Sequence, residues 1–135
     1  MATAVELRVG DDRRPVLDRI VTAFDCGAVI DRDGMTNQIE GAMSMALGGA
    51  LFEAVHFGAG GITNGTLTDY RVPRFADMPP IEVVLLDRPD EPSAGGGETP
   101  MIALAPAVAN AIFAATGVRL RSMPLVPDGV VPDRP

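Results

Sequence analysis

One stretch of this chain concentrates the chemistry: Ser93-Ala94-Gly95-Gly96-Gly97-Glu98-Thr99-Pro100. Three glycines run into a single acidic residue, and a proline and an apolar segment follow. Glycines in series let the backbone take positive φ and come close to a bound group. A carboxylate at the end of such a loop can be aimed at whatever docks against it. The same octapeptide also reads as a flexible linker with a solvated Glu98 ahead of a helix, because short glycine motifs match by chance. Other groups able to do chemistry are few. Cys26 is the only cysteine and His56 the only histidine, too few for a disulfide or a thiolate–imidazole metal cage within the chain. Cys26 reads as a small buried hydrophobe, His56 as a helix C-terminal residue, and no residue is read as a metal ligand. Arg71 and Arg74 read as solvated loop residues or as the lining of a substrate or phosphate channel.

The elements that must position Glu98 follow from periodicity. Residues 4–9 alternate, with Val5, Leu7 and Val9 on one face, and residues 19–25 form a second strand pattern, so a hairpin is predicted. A long helix is predicted over residues 35–57, capped by Asp33 or Thr36. Its apolar positions make one wide face, and a second stripe runs Gln38, Gly41, Met45, Gly48 and Phe52. With so few positions suited to water, the helix reads as buried on more than one side, and Met35, Met43 and Met45 as packing residues. Residues 62–68 are weakly strand-like. Residues 81–86, continuous in Val and Leu, predict a well-covered strand. Residues 87–91 read as a solvated acidic turn. A second helix is predicted from Pro106 to Ala115, ended by Gly117, and a final strand over residues 118–121. The fold class is α+β: a hairpin, a long buried helix, a central strand, a second helix and a final strand. Residues 1–125 are read as one domain and residues 126–135 as a proline-rich tail of coil.

Composition narrows the partners. With 47% apolar residues the chain can build a core. A net charge of −7 argues against a nucleic-acid partner, which calls for clustered Lys and Arg. No apolar run approaches the roughly 20 residues of a membrane span, and no basic-then-apolar leader is visible at the N-terminus.

Three groups of residues together resemble landmarks of one enzyme family. The first is Phe24-Asp25-Cys26-Gly27 with Val29-Ile30, then Asn37-Gln38-Ile39-Glu40-Gly41-Ala42. The second is Asp69-Tyr70-Arg71-Val72-Pro73-Arg74 with Met78-Pro79-Pro80-Ile81-Glu82-Val83. The third is Gly95-Gly96-Gly97-Glu98 with the segment from Ala105 to Ile112. In this order and spacing they resemble the C-terminal part of the large cofactor-binding subunit of the xanthine dehydrogenase and aldehyde oxidase group of molybdenum hydroxylases, nearest its isoquinoline oxidoreductase-like branch. The resemblance implies a molybdenum–pterin cofactor shared with a partner chain. It also implies iron–sulfur clusters on another subunit, and a small N-heterocycle or aldehyde as substrate. It assigns Glu98 the role of general base toward a metal hydroxide, Gln38 a place against the cofactor, and Gly96 and Gly97 a backbone approach to the metal. A metal lowers the pKa of bound water, and a carboxylate sheltered in an apolar pocket is suited to take its proton.

Two positions depart from the family pattern: Asp31-Arg32 where Asn-Pro is usual, and Thr99 between Glu98 and Pro100. The family's large subunit is several times longer, and its upstream pterin-binding segments have no counterpart here. The chain is therefore expected to act with partners, the large cofactor-binding chain and an iron–sulfur subunit, as a split-off subunit, an excised piece or a relic with another job. Alone it is expected to self-associate and to be inactive. A cytoplasmic location is expected, or a periplasmic one if it is exported with a partner. The competing reading is an interaction module that keeps the fold without the chemistry.

Overall fold

The computed structural model describes residues 1–133. Strand β1 (Ala2–Val9) and strand β2 (Pro15–Asp25) form the expected antiparallel hairpin. β2 begins at Pro15, earlier than predicted, because a proline is tolerated as the first residue of a strand. The pairing steps from Glu6 with Arg19 to Leu7 with Leu17. Asp18 is thus the extra residue of a bulge, and its carboxylate pairs with Arg8. Val5, Leu7 and Val9 face inward and Glu6 and Arg8 outward, as the alternation predicts.

Helix α1 (Arg32–Leu51) begins earlier than expected because Asp31, not Asp33 or Thr36, is its cap: its carboxylate accepts the Gly34 N–H at 2.9 Å. It also ends earlier. The Phe52 and Glu53 N–H groups both donate to the Gly48 carbonyl, and the chain turns back. Gly48 makes that return possible: a Cβ there would lie 1.7 Å from Glu53 Oε1 and 2.7 Å from Pro73 Cδ. Ile39, Ala42, Met43, Leu47, Ala50 and Leu51 are buried, whereas Met45 is 70% exposed and Gly41 is open. One side of the helix is therefore buried, not several.

The weak strand pattern over residues 62–68 condenses to a minimal ribbon of β3 (Phe57–Gly58) and β4 (Gly61–Ile62). Asn64 holds its base by accepting from the His56 N–H and donating to the Ala54 carbonyl. His56 thus sits at the base of a ribbon beyond the helix, not at its C-terminus. Strand β5 (Ile81–Leu86) has the predicted extent but is an edge strand, parallel to β2, in the order β1-β2-β5. Ile81, Val83 and Leu85 are half-buried while Val84 and Leu86 are exposed, so its continuous apolar run is covered on one face only. The central strand is β2, where Ile20, Thr22 and Phe24 are buried and Thr22 Oγ1 lies 2.9 Å from Thr3 Oγ1.

Helix α2 (Leu104–Thr116) packs Leu104, Val108 and Ile112 against α1 and the sheet, and Gly117 ends it at φ 73°. Within the apolar run Thr99–Thr116 the α-helical part is these 13 residues, about 20 Å long against a hydrocarbon core of about 30 Å. Residues 118–121 form no strand. Arg119 instead folds over the Phe113 ring at 3.9 Å and donates to Asn110 Oδ1 at 2.6 Å.

The segment after Leu125 does not trail away. The Leu125 and Val126 N–H groups donate to the Ala50 and Leu51 carbonyls at 2.7 and 2.9 Å, closing the C-terminus of α1. Val131 N–H donates to the Arg13 carbonyl, and Leu125, Val126 and Val131 are buried in the core. Of the expected tail, Arg134 and Pro135 lie outside the described residues. Removing residues 126–135 should destabilise the fold by about 3 kcal/mol, the burial of two valines, measured by urea unfolding. A change within about 0.5 kcal/mol, typical of an unattached surface segment, would sink this.

Candidate functional site

The glycine loop is placed by a backbone crossing. After β2, Gly27 takes φ +78°, and a Cβ there would lie 2.2 Å from the Pro92 carbonyl oxygen. Around it the Ala94 N–H donates to the Cys26 carbonyl, Ala28 N–H to Glu91 carbonyl and Arg88 N–H to Gly27 carbonyl. Side chains reinforce the crossing. Asp25 accepts from the Gly27 N–H at 3.0 Å and from Arg88 Nη1 at 3.3 Å, while Asp87 accepts from the Val29 N–H at 3.2 Å. The acidic run 87–91 is thus an exposed turn that also straps two loops together. The Gly27 N–H, then Arg88, hold the Asp25 carboxyl below its ordinary range.

The three glycines do different work. Gly95 takes φ +72°. Gly96 is buried: a Cβ would lie 2.5 Å from Met35 Sδ and 3.2 Å from Phe24 Cε1, so the loop seats on the start of α1. Gly97 is exposed and faces nothing within 4 Å. Glu98 follows as the cap of a 3-10 turn, Thr99–Met101, that packs on α1. Its carbonyl accepts the Met101 N–H at 3.1 Å, but its carboxylate caps nothing. Among the described residues that carboxylate has no hydrogen-bond or ion-pair partner. It opens on a shallow groove of about 750 Å³ lined by Met45, Gly49, Met101, Ile102 and Met123. The groove is apolar on this chain's side, yet Glu98 itself is exposed. The shelter expected for a base is therefore not completed by this chain.

Gln38 is exposed near the start of α1, one turn beyond the Met35 that seats Gly96. Seven and eleven residues on stand Met45 and Gly49, which puts Gln38 on the same face of the helix, about 10 Å along the axis from Met45. The fold therefore joins Gln38, Gly97 and Glu98 to one open side of the molecule, while Gly96 serves as the buried seat. Met101, Ile102 and Met123 were not singled out by sequence reasoning. Met123 in particular reaches the groove only because the chain returns to cap α1. Cys26 is buried and unpaired, and among the described residues no cluster of His, Cys, Asp and Glu could hold a metal ion.

Toward a pterin-held metal, the open side offers one carboxylate, one amide and bare glycine backbone, with neither thiolate nor imidazole. Such a surface fits the organic body of a cofactor that carries its own metal ligands.

Residues 4–79, more than half of the chain, match the molybdopterin cofactor-binding domain family. The chain is 33% identical over 127 residues to one of the subunits of nicotinate dehydrogenase from Pseudomonas putida, covering 94% of this chain and 10% of that protein. It is also 33% identical over 111 residues to the beta subunit of isoquinoline 1-oxidoreductase from Brevundimonas diminuta, covering 82% of this chain and 14% of that protein. The fold is similar to that of quinoline 2-oxidoreductase from Pseudomonas putida 86, with a TM-score of 0.76 at 28% identity, over 88% of this chain and 16% of that one. The chain thus spans between a tenth and a sixth of the length of these proteins.

Two outcomes follow from the geometry. The depressed Asp25 carboxyl contributes stability that is fully present above its unfolded value near pH 4 and is lost as pH falls through the lower folded value. Asp25→Asn should therefore lower stability at neutral pH and flatten its loss in acid, followed by circular dichroism; an unchanged acid limb would contradict it. Gly96→Ala should destabilise the fold, because Met35 and Phe24 must shift, whereas Gly97→Ala should stay within about 0.5 kcal/mol. Equal effects in urea titrations would refute this seat-and-open-face division.

Proposed function

Because this chain belongs to the molybdopterin cofactor-binding domain family, we propose that it forms one wall of a molybdenum–pterin site and supplies the catalytic base of a hydroxylase. The observation that carries the reading is the Glu98 carboxylate, unpartnered among the described residues, at the mouth of an apolar groove beside the open Gly97. When bound, the cofactor supplies the electron sink and polarises the water to be deprotonated.

The chain's own residues do the rest. Gly27 and Gly96 fix the loop backbone, which limits the positions that the carboxylate can reach, and positioning favours proton transfer. Gly97 lets the cofactor approach the backbone. Gln38 presents an amide, with both donor and acceptor, to the organic part of the cofactor from the same face of α1. Met45, Met101, Ile102 and Met123 exclude water from one side of Glu98, and a partner chain closes the other. Glu98 then takes the proton of the attacking water. The substrate is a small N-heterocycle or aldehyde. The iron–sulfur clusters reside on a separate subunit and the assembly in the cytoplasm. Support for a multi-chain assembly comes from relatives named as subunits, each far longer than this chain.

The test is Glu98→Gln in the assembled enzyme, with molybdenum content and turnover measured side by side. The amide keeps the shape but accepts no proton, so turnover should fall by about 10²–10⁴-fold while metal content stays normal. Turnover within about threefold of wild type would favour the interaction-module reading instead.

A further inference from the structure

A second recess lies at the C-terminal end of α1 and shares no residue with the Glu98 groove. Its volume is about 270 Å³, close to the lower bound of small-ligand sites. Leu17, Leu51 and Val126 contribute an apolar floor, and Arg14, Arg71 and Asp77 stand around it. Arg8, Arg19 and Arg88 each donate to a carboxylate. Arg71 instead rests over the Phe52 ring at 3.7 Å, and its nearest carboxylate oxygen, on Asp77, is 3.5 Å away. Arg14 lies against Gly129, 3.8 Å from where a Cβ would stand, and its nearest carboxylate oxygen, on Asp12, is 3.8 Å away. Neither distance is a good hydrogen bond. Two cations therefore flank one apolar floor with their donors largely unspent, in a chain whose net charge is −7.

We propose that this recess binds a small amphipathic monoanion, a carboxylate with an apolar body, its head between Arg14 and Arg71 and its body on Leu17, Leu51 and Val126. A guanidinium edge matches a carboxylate in bidentate geometry, and a ring or short alkyl group gains by covering the floor. Asp77 sets the charge of the guest. With Asp12 beside Arg14 it brings the rim close to neutral, which suits a monoanion better than a phosphate dianion. The site is independent of the cofactor reading, because no residue of that groove takes part.

Benzoate is the probe, titrated into the full chain with methyl-labelled methionine. Met78, which lines the recess, reports binding; Met45 and Met123, which line the other groove, are internal controls. Benzoate should shift the Met78 methyl saturably and leave the controls still. Benzamide, isosteric and uncharged, should bind at least about tenfold more weakly, and so should Arg71→Met with benzoate. Arg14→Gln provides the second arm if Arg71→Met loses its far-ultraviolet dichroism. Asp77→Asn retains an oxygen for the Arg74 N–H that Asp77 Oδ2 accepts at 2.8 Å. By removing the opposing charge it should tighten benzoate about fivefold, the effect of one charge at about 4 Å in water. The proposal is overturned if Met78 does not respond, if benzamide matches benzoate, or if both arginine variants bind as wild type. Weaker binding in Asp77→Asn, or inorganic phosphate displacing benzoate at lower concentration than benzoate itself, would also overturn it.

Discussion

At Gly27 two backbones cross with no room for a side chain between them. The chain leaving β2 turns at φ +78° directly beneath the Pro92 carbonyl, and hydrogen bonds from Ala28, Arg88 and Ala94 lock the crossing on both sides. A left-handed backbone favours glycine on conformational grounds alone, and the oxygen at 2.2 Å demands it on steric grounds. Everything at the candidate site descends from this contact. It carries the end of β5 back over the end of β2 and sets the height at which Gly95 begins. It also delivers Gly96 onto Met35 and Phe24. Glu98, two residues later, inherits its position from that seat.

Helix α1 connects the site to the core and has two characters. Its inner face is packed without exposure at Ile39, Met43 and Leu47. Its outer face carries Gln38, Gly41, Met45 and Gly49, and neither Gly41 nor Gly49 has a neighbour within 4 Å of where a Cβ would stand. With Ile102 and Met123 exposed beside it, this face is an apolar, small-residue surface of the kind that marks a binding surface. A helix with few positions suited to water in its sequence thus leaves one apolar face open among the described residues, in a chain that spans a fraction of its relatives' length.

The C-terminal end of α1 is organised by different chemistry. The helix stops where Gly48 makes room for Glu53, which accepts the Tyr70 hydroxyl at 3.0 Å. That hydrogen bond, followed by burial, raises the Tyr70 hydroxyl's pKa. Arg71 then stacks on Phe52. The Asp69-Tyr70-Arg71 segment is thereby tied to the end of α1 by one hydrogen bond and one cation–π contact. The same tie leaves the Arg71 donors available at the second recess.

Local pattern was sufficient wherever local physics decides. The alternation in residues 4–9 gives a strand and its inward face, the extent of β5 follows from its continuous run of Val and Leu, and Gly117 ends α2 through its left-handed backbone. Glu98 and its glycines were legible as a chemical unit because loop conformation and residue type are local properties. The family resemblance that gave them roles rested on order and spacing along the chain. Tertiary structure decided what depends on distant neighbours. Only the returning Glu53 and Pro73 show why α1 stops at Leu51. Only the Ala50 and Leu51 carbonyls, left over at a helix end, show why a proline-rich segment enters the core rather than trailing off. β5 is an edge strand because it has one pairing partner and helices on one face, which its own apolar run does not reveal. The exposure of Glu98 is likewise no property of its sequence neighbourhood. It follows from the absence of any described element of this chain over the outer face of α1, so sequence could name the carboxylate but only the packed structure could show which wall around it is missing.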